Sequence, residues 1–180
     1  MNLPNLLSLF RLFVTAFFIA LVAYGRFNVA LFLFLLQALS DLLDGFFARR
    51  MGAKTSLGAY LDPLADKVML ASSYIVLSLQ KFVPFSLVAV VLLRDLVISI
   101  GFLILLKRGL AMNPVPSLVS KATTVFQMVT VVYVLSFAGR GFELPLLNLF
   151  FFGTTALLTL VSGFQYVSLG LTAFFRKEIV

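Results

Sequence analysis

Apolar residues in this chain fall into six long runs separated by short breaks of glycine, proline and charge. A helix needs about 20 such residues to cross a hydrocarbon core, so the pattern predicts an all-α integral membrane fold of six transmembrane helices with a short N-terminal interfacial helix. The interfacial helix is read in MNLPNLLSLFR, where Pro4 stands in the opening turn and Arg11 interrupts the apolar run before a first span over residues 12–24. Gly25, Arg26 and Asn28 mark a turn, and the second span covers residues 29–50. After a link containing Gly52, Thr55 and Ser56, the third covers residues 57–79. Pro63 lies within its first turns, where proline is tolerated. Lys81 and Pro84 precede a fourth span over residues 85–106, and the stretch 109–117, with Asn113, Pro114 and Pro116, predicts a loop. The fifth span covers residues 118–137. Gly139, Arg140, Gly141 and Glu143 form the next turn, and the sixth span, residues 144–171, is longer than one crossing requires.

Composition agrees with this pattern. With 62% hydrophobic and 12% charged residues and a mean hydropathy of +1.11, the 180-residue chain is far from a soluble domain, for which about 45–50% apolar and about 25% charged are usual. Nothing divides it, so residues 1–180 are read as a single transmembrane domain. It has no cysteine and no histidine, which removes disulfides, thiolate or imidazole metal ligands, and Cys/His or Ser/His nucleophile chemistry. The formal charge of +7 does not imply nucleic acid, because the basic residues lie mostly at the ends of apolar runs and form no stripe. Arg49, Arg50, Lys54, Lys107, Arg108, Arg176 and Lys177 fall on one side, against Arg26, Lys81 and Arg140 on the other. The positive-inside rule then places both termini in the cytoplasm.

Acidic residues are placed the opposite way. Five of the seven, Asp41, Asp44, Asp62, Asp66 and Asp95, fall inside predicted spans, where an unsatisfied carboxylate costs several kcal/mol. Asp41 and Asp44 are three residues apart and Asp62 and Asp66 four apart, spacings that put each pair on one helix face. Two antiparallel helices would turn these carboxylates toward one another near the cytoplasmic surface, and the cluster needs cations to remain charged. Hard divalent ions of the Mg²⁺ or Mn²⁺ type suit an all-oxygen donor set, and two of them about 3.5–4 Å apart are a recurrent device for displacement at phosphorus. Gly45, Ala48 and Gly58 leave the helix faces bare for a ligand, while Arg49 offers a planar fork for phosphate oxygens. Competing readings are a divalent-cation carrier, and a structural membrane protein in which the aspartates pair with Arg49 or Lys67.

Taken together, Asp41-x2-Asp44-Gly45-x2-Ala48-Arg49-x8-Gly58-x3-Asp62-x3-Asp66 resembles the signature of the CDP-alcohol phosphotransferases at every fixed position. The resemblance implies a membrane phospholipid synthase of six helices, with the motif across the second and third. It would transfer a phosphatidyl group from CDP-diacylglycerol to an acceptor hydroxyl with release of CMP. By resemblance, Asp41, Asp44 and Asp62 hold two divalent cations, Mg²⁺ or Mn²⁺, and Asp66 completes the site and acts as the base. Asp41, Gly45, Ala48, Arg49, Gly58 and Asp62 hold the CDP moiety. A homodimer is expected on the same ground; so compact a form points to a bacterial inner membrane, and the lysine and arginine distribution to a cytoplasmic active site.

LDPLADK at Leu61 to Lys67 resembles the branch containing phosphatidylglycerophosphate synthases and cardiolipin synthases of mitochondrial type. The former typically carry Arg-Glu in the fourth helix and a second Arg two turns later; here Arg94 and Asp95 are followed by Phe102. That departure and SKATTVFQ at Ser120 to Gln127 favour phosphatidylglycerol as acceptor, with glycerol 3-phosphate the alternative. Arg94 and Lys121 are candidates for acceptor binding. Neighbours in a helix point about 100° apart, so Arg94 and Asp95 fit a role in satisfying other residues equally well, as Lys121 fits interfacial snorkelling. Asn5 and Arg11 are open between nucleotide contact and capping or interface anchoring.

Overall fold

The computed structural model describes the backbone of residues 3–51, 58–107, 117–138, 140 and 144–176, and the side chains of these except 3–9, 41–51, 58–65, 102, 105–107, 171 and 173–176. Six helices and no strand are present among the described residues: α1 Leu3–Ala23, α2 Phe27–Met51, α3 Gly58–Leu79, α4 Phe85–Lys107, α5 Leu118–Phe137 and α6 Pro145–Arg176. Two of them are long and apolar enough to cross a membrane, Leu118–Phe137 and, within α6, Pro145–Gly170. The chain divides into two compact units, Met1–Val83 with Val131–Glu143, and Pro84–Thr130 with Leu144–Val180.

In the first unit α1 packs on both α2 and α3. Its inward stripe is Arg11, Val14, Thr15, Phe18 and Val22, all buried, while Phe10, Phe13 and Phe17 on the other faces are exposed. The stripe recurs every three to four residues, the period of one helix face. From α2 it meets Ala30, Phe34 and Gln37, with the rings of Phe18 and Phe34 5.9 Å apart. Met69, Leu70, Ser73, Tyr74 and Leu77 are buried on α3. Pro4 sits in the first turn of α1, where it costs no hydrogen bond, and the helix runs through Arg11 without interruption. The separate interfacial helix expected before residue 12 is therefore not formed. An arginine interior to a helix breaks nothing if its charge is met, and α3 supplies the partner, as described below.

The second unit reverses the usual distribution of polarity. Ser120, Thr123, Gln127 and Thr130 of α5 are buried, as are Thr155, Thr159 and Ser162 of α6, whereas Leu157, Leu160, Val161 and Phe164 are exposed. Thr130 Oγ1 lies 2.7 Å from Thr155 Oγ1, Gln127 Nε2 donates to Thr159 Oγ1 at 3.1 Å, and Thr123 Oγ1 donates to the Leu158 carbonyl at 3.1 Å. Helices in lipid gain nothing by hiding leucine from an equally apolar solvent, so hydrogen bonds and close packing hold them together. Helix α4 packs on α6 in the same unit.

Two helices of the first unit end in the same way. After α1, Gly25 N donates to the Val22 carbonyl and Arg26 N to that of Leu21; after α3, Lys81 N donates to Ser78 and Phe82 N to Leu77. This pair of bonds is the Schellman closure, which needs a left-handed residue: Gly25 has φ +71° and Lys81 has φ +65°. Glycine takes that conformation freely, but a lysine Cβ crowds the following carbonyl at a cost of about 1 kcal/mol or more. Lys81→Gly is therefore expected to stabilise the protein by about 0.5–1 kcal/mol, read as a higher thermal unfolding midpoint in detergent, whereas Gly25→Ala should lower it.

Candidate active site

The motif lies on the C-terminal half of α2 and the N-terminal turns of α3, in the first unit. Helix α2 is continuous from Phe27 to Met51, so Asp41, Asp44, Gly45, Ala48 and Arg49 all belong to it, and Gly58, Asp62 and Asp66 belong to α3. The three- and four-residue spacings that place each aspartate pair on one face therefore act through real helices. The spacing of four and three linking Ala30, Phe34 and Gln37 runs on in the sequence to Asp41 and Asp44. The side chains of Asp41, Asp44, Gly45, Ala48, Arg49, Gly58 and Asp62 lie outside the described residues.

Asp66 is described, and a long-range contact holds it. Arg11 Nη1 donates to Asp66 Oδ1 at 2.5 Å across the α1–α3 interface. The arginine is the deeper partner: its side chain is 4% exposed and that of Asp66 30%. Arg11 is held in turn through its own backbone. Its carbonyl accepts from Thr15 Oγ1 at 2.8 Å and from Gln37 Nε2 of α2 at 2.9 Å, and Gln37 Nε2 also lies 3.0 Å from Thr15 Oγ1. Sequence reasoning left Arg11 between two roles and passed over Gln37. A glutamine one helical turn before Asp41, in an otherwise apolar run, was the available signal.

As a fit for divalent cations, this donor set is consistent in kind. Asp66 is a carboxylate paired with a guanidinium and 30% exposed, and the other three motif acids are oxygen donors, the type that Mg²⁺ and Mn²⁺ prefer. Among the described residues no group of three potential ligands gathers.

Arg94 stands in the second unit, buried and engaged. Nη1 donates to Asp95 Oδ1 at 2.7 Å, and Nη2 donates to Ser120 Oγ at 2.6 Å and Ser162 Oγ at 2.9 Å. Its stem passes Gly163, whose Cα side leaves room: an added Cβ would meet Arg94 Cγ at 3.5 Å. Although successive residues diverge by about 100°, the four-bond arginine side chain is long enough to reach back to its neighbour. Lys121 is exposed in the first turn of α5.

Comparison with known proteins identifies the class. A model of the CDP-alcohol phosphatidyltransferase family matches residues 1–170, and the chain belongs to that family. It is 42% identical over 130 residues to CDP-diacylglycerol–glycerol-3-phosphate 3-phosphatidyltransferase of Aquifex aeolicus, covering 70% of this chain and 71% of that protein. It is 34% identical to the Escherichia coli K12 protein of the same name, over 93% of each chain. It is also 32% identical to a rat cardiolipin synthase (CMP-forming), over 94% of this chain and 61% of the rat protein. The family is membrane-bound, in accord with the two long apolar helices.

The Arg94 cluster makes a stability prediction. Asp95→Ala alone leaves a guanidinium buried without its anion and is expected to cost about 3 kcal/mol, whereas Asp95→Ala combined with Arg94→Leu should cost less than the single change. Thermal unfolding of the purified variants in one detergent gives the comparison.

Proposed function

We propose that this chain is a phosphatidyltransferase that moves the phosphatidyl group of CDP-diacylglycerol to the hydroxyl of a glycerol-type acceptor, releasing CMP. The observation that carries this reading is the complete motif on two continuous helices, with Asp66 paired to a buried arginine. Asp66 accepts the proton of the acceptor hydroxyl. The acceptor oxygen then forms its bond to the phosphorus that bears the diacylglycerol, the phosphorus–oxygen bond to CMP breaks, and CMP departs with the electron pair. Asp41, Asp44, Asp62 and Asp66 are the residues to hold two divalent cations, which when bound neutralise the charge that develops on the phosphate oxygens. Gly45, Ala48 and Gly58 leave room for the nucleotide, and Arg49 offers two parallel donors to its diphosphate.

The acceptor we favour is phosphatidylglycerol. Glycerol 3-phosphate carries a phosphomonoester that calls for an arginine with free donors. Arg94 already gives three of its five N–H donors to Asp95, Ser120 and Ser162, and Phe102 stands where the glycerol-phosphate branch typically has a second arginine. The names of the two bacterial relatives favour glycerol 3-phosphate as the second reading, with exposed Lys121 as its phosphate contact. We read residues 1–180 as one functional domain, a reading supported by a family match that runs across both units. We read all six helices as crossing the membrane, and the distribution of lysine and arginine supports a motif that opens to the cytoplasm.

The test is an acceptor panel on purified protein with CDP-diacylglycerol and Mg²⁺ or Mn²⁺. Phosphatidylglycerol, glycerol 3-phosphate, serine and inositol phosphate are offered in turn, and the lipid product is identified by mass. Cardiolipin is the expected product; phosphatidylglycerophosphate would transfer the assignment to the second reading. Asp66→Asn should lower the rate of CMP release by about 10²- to 10⁴-fold, the range for loss of a general base. A carrier would instead move Mn²⁺ into vesicles without lipid substrate.

A further inference from the structure

We infer that Arg11 is a positioning residue for the reaction: braced by Gln37 and Thr15, it fixes the orientation of the Asp66 carboxylate. The inference rests on the proposed function, and it assigns a task to the first helix, which contributes nothing to the sequence motif.

Three observations carry it. The first is the asymmetry of the pair. A purely structural ion pair between packed helices shields both partners, yet here the guanidinium is almost fully enclosed and the carboxylate keeps nearly a third of its surface open. The charge that needs a partner to remain inside is that of the arginine, and the carboxylate is the more accessible of the two. The second is the brace. Gln37 Nε2 reaches the Arg11 main chain from α2, so the backbone that carries the guanidinium is tied to the helix that carries Asp41 and Asp44. Gln37, Thr15 and Arg11 are each at most 3% exposed, so water does not compete for these bonds. The third is register. Gln37 lies one turn before Asp41 and Asp66 one turn after Asp62, so the contacts among α1, α2 and α3 converge next to both aspartate pairs.

A carboxylate on a rotatable side chain samples several orientations, and a base must present its oxygen within hydrogen-bond reach of the proton it takes. Engaging Oδ1 with a buried guanidinium restricts that freedom. Misplacing a reacting group by about 1 Å can cost on the order of 10²-fold in rate, so losing the pin should lower turnover while substrate binding remains.

The experiment uses full-length protein in one detergent or nanodisc, with CMP release at saturating phosphatidylglycerol or whichever acceptor the panel selects. Mn²⁺ binding is measured separately, by paramagnetic resonance without lipid substrate, and thermal unfolding checks integrity. Arg11→Gln is expected to lower kcat by about 30-fold or more with KM for CDP-diacylglycerol within about threefold, and to change Mn²⁺ affinity by a smaller factor than kcat, because three of the four proposed ligands are untouched. Arg11→Lys should recover part of the lost kcat. Gln37→Leu, which leaves the guanidinium but removes its brace, should lower kcat by a smaller factor of about 3–10. If Arg11→Gln does not yield folded protein, the Gln37→Leu and Arg11→Lys measurements decide. Wild-type kcat in folded Arg11→Gln overturns the inference, as does a parallel fall in kcat, Mn²⁺ affinity and unfolding midpoint, which is the signature of a structural pair. A wild-type protein that releases no CMP with any acceptor overturns the functional reading and this inference with it. An active wild type that Arg11→Gln leaves unchanged overturns this inference alone.

Discussion

Burying a guanidinium among apolar helices is tolerable only if an anion and a set of hydrogen bonds meet it, and in the first unit that requirement falls on Arg11. Its answer is Asp66, fifty-five residues away in sequence. Much of the unit follows from that pairing. Helix α1 must lie against α3 at a fixed height for the two groups to meet, and the apolar contacts of Phe18, Val22, Tyr74 and Leu77 are then set by the same register. The glutamine of α2 closes onto the arginine main chain, so one charged contact fixes the height of three helices. A site that needs several carboxylates at defined positions gains its geometry from packing rather than from the motif residues alone.

The two units solve the problem of helix association differently. The first uses large apolar side chains around a small polar cluster, with Phe18 against Phe34 and Phe27 edge-on to Phe82 at 5.1 Å. The second joins α5 to α6 through hydroxyls and an amide, and turns leucine, valine and phenylalanine outward. Individual hydrogen bonds of this kind contribute only about 0.6 kcal/mol on average in lipid, so the joint depends on their number. The Arg94 contacts to Ser120 and Ser162 continue it and draw α4 into the same arrangement.

Helix positions were legible in the sequence because apolar run length and glycine, proline or charge at the breaks are local signals. The fifth helix, Leu118–Phe137, has the expected bounds, and α3 and α4 differ from expectation by a single residue. What local reasoning missed depends on distant partners. Arg11 looks like an interface marker until α3 is brought beside it, and the helix then has no reason to break there. Gln37 looks incidental in a run of leucine and phenylalanine until its amide is seen on the Arg11 carbonyl. Arg94 and Asp95, expected to diverge, meet because side-chain length overcomes the angle between them. The motif itself was readable as a pattern of acids and small residues on helix faces. The structure adds the orientation of Asp66, which spacing alone does not contain.

Helix α6 carries a different consequence. Its apolar stretch Pro145–Gly170 has 26 residues and is about 39 Å long, against a hydrocarbon thickness of roughly 30 Å. Upright, it would push about 9 Å of oily surface into water; leaning to avoid this takes an inclination of about 40°, the upper end of the range seen for such helices. A thicker bilayer would accommodate a helix of this length with less lean than a thinner one.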